Sequence, residues 1–253
     1  MKKGAFLLPF FFLFLKKICY VIAMQQNTNY ELIIFDCDGT LADSEIAHNT
    51  VLMEQLHNLG LTDYTLEKCM ETYMGRAISD IIESVETNYS VRFPKNLDKA
   101  EAHYRELLPN VIRLDPTCEP LLKKLHDQGQ KMAVGSNGTR DNVIETIKAA
   151  GFDIYFPEDR IFTFEMVKNP KPAPDLYLHV CDAMHVAPRH AVVIEDTVAG
   201  GMAGIAAGID TIGYVGLTHR DNQAERLDAI GCKQVIQTMG DLENILYTQS
   251  AAA

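Results

Sequence analysis

Three stretches, Glu31-Leu-Ile-Ile-Phe35, Lys131-Met-Ala-Val-Gly135 and Ala191-Val-Val-Ile194, are short, unalternated and partly β-branched. Strands buried on both faces of a parallel sheet read this way, because neither face turns to water. Each run stops abruptly in polar residues: Asp36, then Ser136-Asn137-Gly138, then Glu195-Asp196. Helical periodicity lies between and after them, over residues 119–128, 140–150, 173–185 and 198–207. Gly129, Gly151 and Gly208 follow three of these stretches directly, where a helix is expected to stop. Strand, helix, strand with right-handed crossovers predicts an α/β fold, a doubly wound parallel sheet of Rossmann-like form. Such sheets bind ligands outside the carboxyl ends of their strands. The polar clusters should therefore meet, although they are far apart in the chain.

Residues 44–111 follow another pattern. Amphipathic helical stretches at 46–59, 66–74, 78–89 and 97–108 have no strand pattern between them, and Gly60, Gly75 and Pro94 punctuate them. This predicts a small α-helical cap, 44–111, inserted in a core of 30–43 and 112–250. The hinges fall near Asp43-Ser44 and residues 111–115. Residues 1–29 stand apart as an extension. Its apolar run, 5–15, lies between Lys2-Lys3 and Lys16-Lys17 and is shorter than the ~20 residues a membrane span needs. It lacks a convincing signal-peptide cleavage site. The expectation is that translation starts at Met24. A membrane-associating or exported N-terminus is the lesser alternative.

The chain has 253 residues, 47% of them hydrophobic and 23% charged, which suits one large or two modest globular domains. Its 34 acidic residues against 23 Lys and Arg give a net charge of −11. That field disfavours nucleic acid and anionic membranes. A phosphorylated substrate would need a local site, with a metal ion. The six cysteines are scattered, with no CxxC pair, so the expectation is reduced thiols in a cytoplasmic protein.

Asp36-Cys-Asp38-Gly-Thr40 is the strongest chemical signal. Two carboxylates this close repel each other unless a hard divalent cation such as Mg2+ sits between them. An ionised carboxylate can attack phosphorus, and a second can protonate the leaving oxygen and then deprotonate water. A turn in which Asp bonds its own backbone would also account for this pattern. Ser136 and Asn137 can donate to phosphate oxygens, and Ser-Asn-Gly is also an ordinary turn. Lys171 lies in Asn-Pro-Lys-Pro-Ala-Pro-Asp175, where prolines stiffen the backbone. An oriented ammonium there could neutralise a transferring phosphoryl group. Glu195-Asp196 adds acid for the cation, and Asp196 is also placed to cap the helix that follows.

In this order after successive strands, Asp36-x-Asp38-Gly-Thr, Ser136, Lys171 and Glu195-Asp196 resemble the four motifs of the haloacid dehalogenase (HAD) superfamily. The resemblance covers residues 31 to about 245. The inserted cap is similar to that of the β-phosphoglucomutase/phosphoglycolate phosphatase-like branch. Within that branch, Val134-Gly-Ser-Asn-Gly138, Tyr155-Phe-Pro157 and Asp196-Thr-Val-Ala-Gly200 resemble the members that hydrolyse 6-phosphogluconate. The resemblance implies a Mg2+-dependent hydrolase of a small phosphomonoester, a sugar phosphate or 6-phosphogluconate-like. Asp36 would be the nucleophile and Asp38 the general acid/base. Mg2+ would lie on Asp36, the Asp38 backbone carbonyl and Asp196, with Glu195 in or near the shell. Ser136, Asn137 and Lys171 would hold the phosphoryl group.

Dehalogenase chemistry needs neither Asp38 as proton donor nor a carboxylate metal site. Phosphonoacetaldehyde hydrolysis needs a cap lysine that residues 44–53 do not supply. A phosphosugar mutase is the main alternative. His48 fits its cap histidine, but Met74 and Ile78 stand where it has basic groups, and Arg76 is displaced. Arg76 and His48 are accordingly expected as cap contacts to substrate. A non-catalytic phosphometabolite-binding protein is a third reading, against which the second carboxylate argues. The expected partner is a small phosphorylated metabolite, and the expected state is a monomer, because the cap itself can close the site.

Overall fold

The computed structural model describes residues 29–73, 78–217 and 220–247. The N-terminal readings therefore lie outside the described residues. Six parallel strands form one sheet: β1 (Leu32–Phe35), β2 (Lys131–Ser136), β3 (Ile161–Thr163), β4 (Ala191–Glu195), β5 (Asp210–Tyr214) and β6 (Gln234–Ile236). Their order is β3-β2-β1-β4-β5-β6, so the winding reverses at β1. Phe35 pairs with Val134 on one side and Ile194 on the other. Asp36 thus leaves the sheet level with Gly135 and Glu195, at the crevice where such sheets take their ligands.

The lack of alternation in β1 has its cause here. Ile33 and Phe35 pack with α5 (Cys118–Asp127), α6 (Arg140–Ala149) and α10 (Met239–Tyr247) through Leu122, Ile147 and Leu242. Leu32 and Ile34 pack on the opposite face with α7 (Asp175–Ala183) and α8 (Val198–Ala206) through Leu176, Val180 and Ala203. All four β1 side chains are fully buried, each contributing about 1.5–3 kcal/mol. α9 (Gln223–Ala229) lies against β5 and β6.

The helix ends differ a little from the pattern-based expectation. α7 begins at Asp175, not 173, because the residue before Pro174 is steered out of the helical region. It ends at Ala183, and His185 takes φ 53°, which no right-handed helix accommodates. Among the described residues no helix is long and apolar enough to cross a membrane. Cys37, Cys69, Cys118, Cys181 and Cys232 are buried.

The helices α1 (Glu45–Asn58), α2 (Leu66–Tyr73) and α3 (Ile78–Tyr89) enclose a small core of their own, built on Leu52, Leu56, Tyr73, Ile81 and Val85, while α4 (Asp98–Val111) packs along α1. A separate cluster of Ala47, Tyr104 and Leu108 packs against Ala149 and so joins α1 and α4 to α6. The two chain crossings between helices and sheet are pinned side by side. Asp43 N–H donates to Arg113 C=O (2.9 Å), Arg113 N–H donates back (3.1 Å), and Arg113 Nη1 lies 3.2 Å from Asp43 Oδ2. The outgoing crossing is then anchored by Asp115. Its Oδ1 accepts from the Thr117 amide (2.8 Å) and hydroxyl (2.6 Å), and its Oδ2 from Tyr214 OH (3.1 Å) and Met239 N–H (2.7 Å).

Candidate active site

The carboxyl ends of β1 and β4 and the proline loop before α7 bring one ammonium between two carboxylates. Lys171 Nζ donates to Asp36 Oδ1 (2.7 Å) and to Glu195 Oε1 (2.8 Å). The Lys171 side chain is 3% exposed and that of Glu195 0%, so these charges are held out of water. Burial works against the ammonium, but Asp36 and Glu195 outweigh it and keep it charged, well above the ordinary lysine value. Asp36 is pushed up to about 7, first by burial and then by Glu195 and Asp38, with Lys171 opposing.

Glu195 is locked by four donors. Lys171 and Tyr177 OH (3.2 Å) share Oε1, while the Thr197 amide (2.7 Å) and hydroxyl (2.8 Å) share Oε2. Its oxygens are thus occupied in fixing Lys171. Gly200 is required beside it, since a Cβ there would stand 1.6 Å from Oε1. The helix cap differs from expectation: Thr197, not Asp196, caps α8, its hydroxyl accepting from Gly200 N–H (3.0 Å). The Asp196 carboxylate turns away from the helix. Its Oδ1 accepts from Thr40 Oγ1 (3.1 Å), and it lies over Gly39, where a Cβ would be 2.3 Å from Oδ2. Gly39 also has φ +86°, so glycine is needed there twice over. The Asp196 main-chain carbonyl accepts from the buried Gln223 amide.

Asp38 faces the loop after β2, its Oδ2 lying 3.7 Å from where a Cβ on Gly138 would stand. Its Oδ1 accepts from Ser44 Oγ. Ser44 in turn meets His48 Nδ1 at 3.1 Å, and the His48 ring stacks on Tyr104 (centroids 4.4 Å apart). His48 is packed about by protein yet open to solvent, as a cleft-lining residue is, and burial lowers its pKa against the pull of Asp38 and Asp43. Ser136, 2% exposed, accepts from Gly138 N–H (3.0 Å). Its own O–H hydrogen remains free to be donated. Asn137 is committed to Lys171: Nδ2 donates to its carbonyl and Oδ1 accepts from its amide, both at 3.1 Å. Arg76 lies outside the described residues.

Asp36, Lys171, Glu195 and Asp196 thus surround one spot, with Asp38, Ser136 and Asn137 at its rim. Pattern reading missed Ser44, Tyr177, Thr197 and Gln223. Ser44 looks like a helix cap, but its hydroxyl makes no capping bond and goes to Asp38 instead.

The donor chemistry fits Mg2+. Three buried or half-buried carboxylates, Asp36, Glu195 and Asp196, share one ammonium, and Asp196 is raised by burial and by its acidic neighbours. A cation would offset that excess. Among the described residues no three His, Cys, Asp or Glu side chains converge as a metal cluster. Two carboxylates and one main-chain carbonyl, completed by water, make a set that Mg2+ accepts.

A profile of haloacid dehalogenase-like hydrolases matches residues 33–214. The 6-phosphogluconate phosphatase of Escherichia coli is 28% identical over 193 residues, covering 75% of this chain and 84% of that protein. The fructose-1-phosphate phosphatase of Escherichia coli is 34% identical over 187 residues, covering 72% and 95%. A haloacid dehalogenase-like protein of unknown function from Agrobacterium tumefaciens superposes with TM-score 0.68 at 30% identity, covering 85% of this chain and 97% of that one.

Proposed function

The chain belongs to the haloacid dehalogenase-like hydrolases, and on that premise we propose that it hydrolyses a small phosphomonoester, a sugar or sugar-acid phosphate, with Asp36 as nucleophile and Mg2+ as cofactor. One observation carries this reading: the Lys171 ammonium, 2.7 Å from Asp36 Oδ1 and buried at the switch point of the sheet. A lysine in that place supports the nucleophile's charge before attack and the phosphoryl oxygens during it.

Asp36, Asp196 and the Asp38 carbonyl would hold Mg2+, which when bound would neutralise the carboxylates and polarise the phosphoryl oxygens. An Asp36 oxygen forms the new bond to phosphorus as the ester oxygen leaves. Asp38 gives its proton to that oxygen. It then takes one from the water that attacks the aspartyl-phosphate, returning Asp36 and releasing inorganic phosphate. Ser136 donates its free hydrogen to a phosphoryl oxygen. Glu195 keeps the Lys171 ammonium between itself and Asp36. The helices 44–111 act as a cap that closes over the cleft of a monomer and excludes bulk water.

The substrate class rests on the names of the two Escherichia coli relatives, both phosphatases of polyhydroxylated compounds. Phosphate release across a panel of phosphorylated sugars, sugar acids, glycolate and nucleotides tests it. Turnover should require Mg2+ and fall about 10^4-fold or more in Asp36→Asn. Full activity in that variant would remove the nucleophile assignment. The placement of His48, one hydroxyl away from Asp38, favours a second reading, a phosphosugar mutase. With β-glucose 1-phosphate and a bisphosphate primer, glucose 6-phosphate would support the mutase and free phosphate the hydrolase.

A further inference from the structure

Asn137 is expected from sequence to give its amide to the phosphate. The hydrogen bonds send that amide elsewhere. Nδ2 donates to Lys171 C=O and Oδ1 accepts from Lys171 N–H, each at 3.1 Å, a reciprocal pairing like one rung of a ladder. The loop's own composition explains the need. Pro170, Pro172 and Pro174 have no N–H to donate, which leaves the loop few main-chain bonds of its own. Ala173 N–H turns back to Pro170 C=O (2.9 Å), and Asn169 Nδ2 bonds Asp175 Oδ1 (2.8 Å). Lys171 therefore relies on Asn137 for its main-chain partners. At the other end of the same residue, the ammonium meets Asp36 and Glu195 at 2.7 and 2.8 Å. One residue thus carries both the main-chain pairing and the two ammonium contacts, so the position of its main chain sets what the side chain must span to reach Asp36 and Glu195.

We propose that Asn137 is a positioning residue, which clamps the main chain of Lys171 so that its ammonium reaches Asp36, and that Asn137 reaches phosphate only through Lys171. The proposal rests on the phosphoryl-transfer reading of Lys171. A double-mutant cycle tests it. Inorganic phosphate binding is measured calorimetrically in the presence of Mg2+, and kcat and KM with p-nitrophenyl phosphate, for wild type, Asn137→Ala, Lys171→Ala and the double variant. Asn137→Ala should weaken phosphate binding about fivefold in the wild-type background and less than twofold once Lys171 is gone. Equal losses in both backgrounds would show that Asn137 touches phosphate itself, and would overturn the proposal. Asn137 is exposed, so folding is spared. Amide hydrogen exchange gives an independent readout: exchange at Lys171 and Ala173 should quicken at least tenfold in Asn137→Ala. Unchanged exchange would equally overturn the clamp. If wild type neither binds phosphate nor cleaves any ester, the phosphoryl-transfer reading fails, while exchange still decides whether Asn137 holds the loop.

Discussion

Glu195 determines how tightly the buried charges are held, and Gly200 determines whether Glu195 fits. A methyl group at Gly200 would fall 1.6 Å from Glu195 Oε1, and α8 cannot retreat without lifting Thr197 from Oε2. Gly200→Ala should therefore destabilise the protein by about 1–3 kcal/mol through overpacking, read as a lower urea midpoint. It should also lower kcat more than it alters KM, because the displaced carboxylate no longer steadies Lys171. A Gly200→Ala variant with wild-type midpoint and kcat would mean that the carboxylate has slack. Asp36 and Asp196 were legible in sequence because charged residues at the ends of apolar runs have no packing role, and Lys171 because a proline flanks it on each side. Their supports were not. Tyr177 reads as a core aromatic, and its hydroxyl bond to Glu195 exists only across the fold. Asp196 and Thr197 are both good caps by type. Only the pull of Thr40 and the space over Gly39 assign the cap to Thr197.

At the scale of elements, Asp115 ties three together: the crossing from α4 back to the sheet, β5 through Tyr214, and the N-terminus of α10 through Met239 N–H. Burial pushes its pKa up, but the Thr117 hydroxyl and the amides of Met239 and Thr117 outweigh that, and the net shift is downward. A carboxyl depressed in the folded state adds stability above its unfolded pKa, and that stability is lost as pH falls through the folded value. Asp115→Asn should lower the urea midpoint at pH 7, by the roughly 1 kcal/mol that a helix cap contributes or more. The gap should narrow toward pH 3, where the wild-type carboxylate is also losing its charge. A gap that stays constant over that range would mean that the charge contributes nothing. β1, β2 and β4 were legible because each is flanked by strands and covered on both faces. β3 and β6 have three residues each, and β5 carries Gly213. Such segments are strands only because β2, β4 and β5 offer them an edge, which no local pattern records.

At the scale of the molecule, two kinds of negative charge need separating. The net −11 is mostly spread over the surface, where salt screens it within about 8 Å at physiological ionic strength. The carboxylates of Asp36 and Asp196 are desolvated and close together, and both are raised. A raised carboxyl makes the folded state bind more protons than the unfolded one, so without a cation stability falls as pH rises above the ordinary carboxylate range. Mg2+ competes with those protons and needs the ionised ligands. Its stabilising effect should therefore grow from pH 6 to pH 8. At a hundred times its Kd, Mg2+ would add about 2.7 kcal/mol, which for a protein of this size is a rise in Tm of about 5–10 °C. Potassium chloride at equal ionic strength should give only the small rise that surface screening allows. In Asp196→Asn the Mg2+ response should shrink to that same level, while the potassium response persists. Equal Mg2+ shifts in wild type and Asp196→Asn would place the cation on the diffuse surface charge and leave Asp36 and Asp196 without a shared ion.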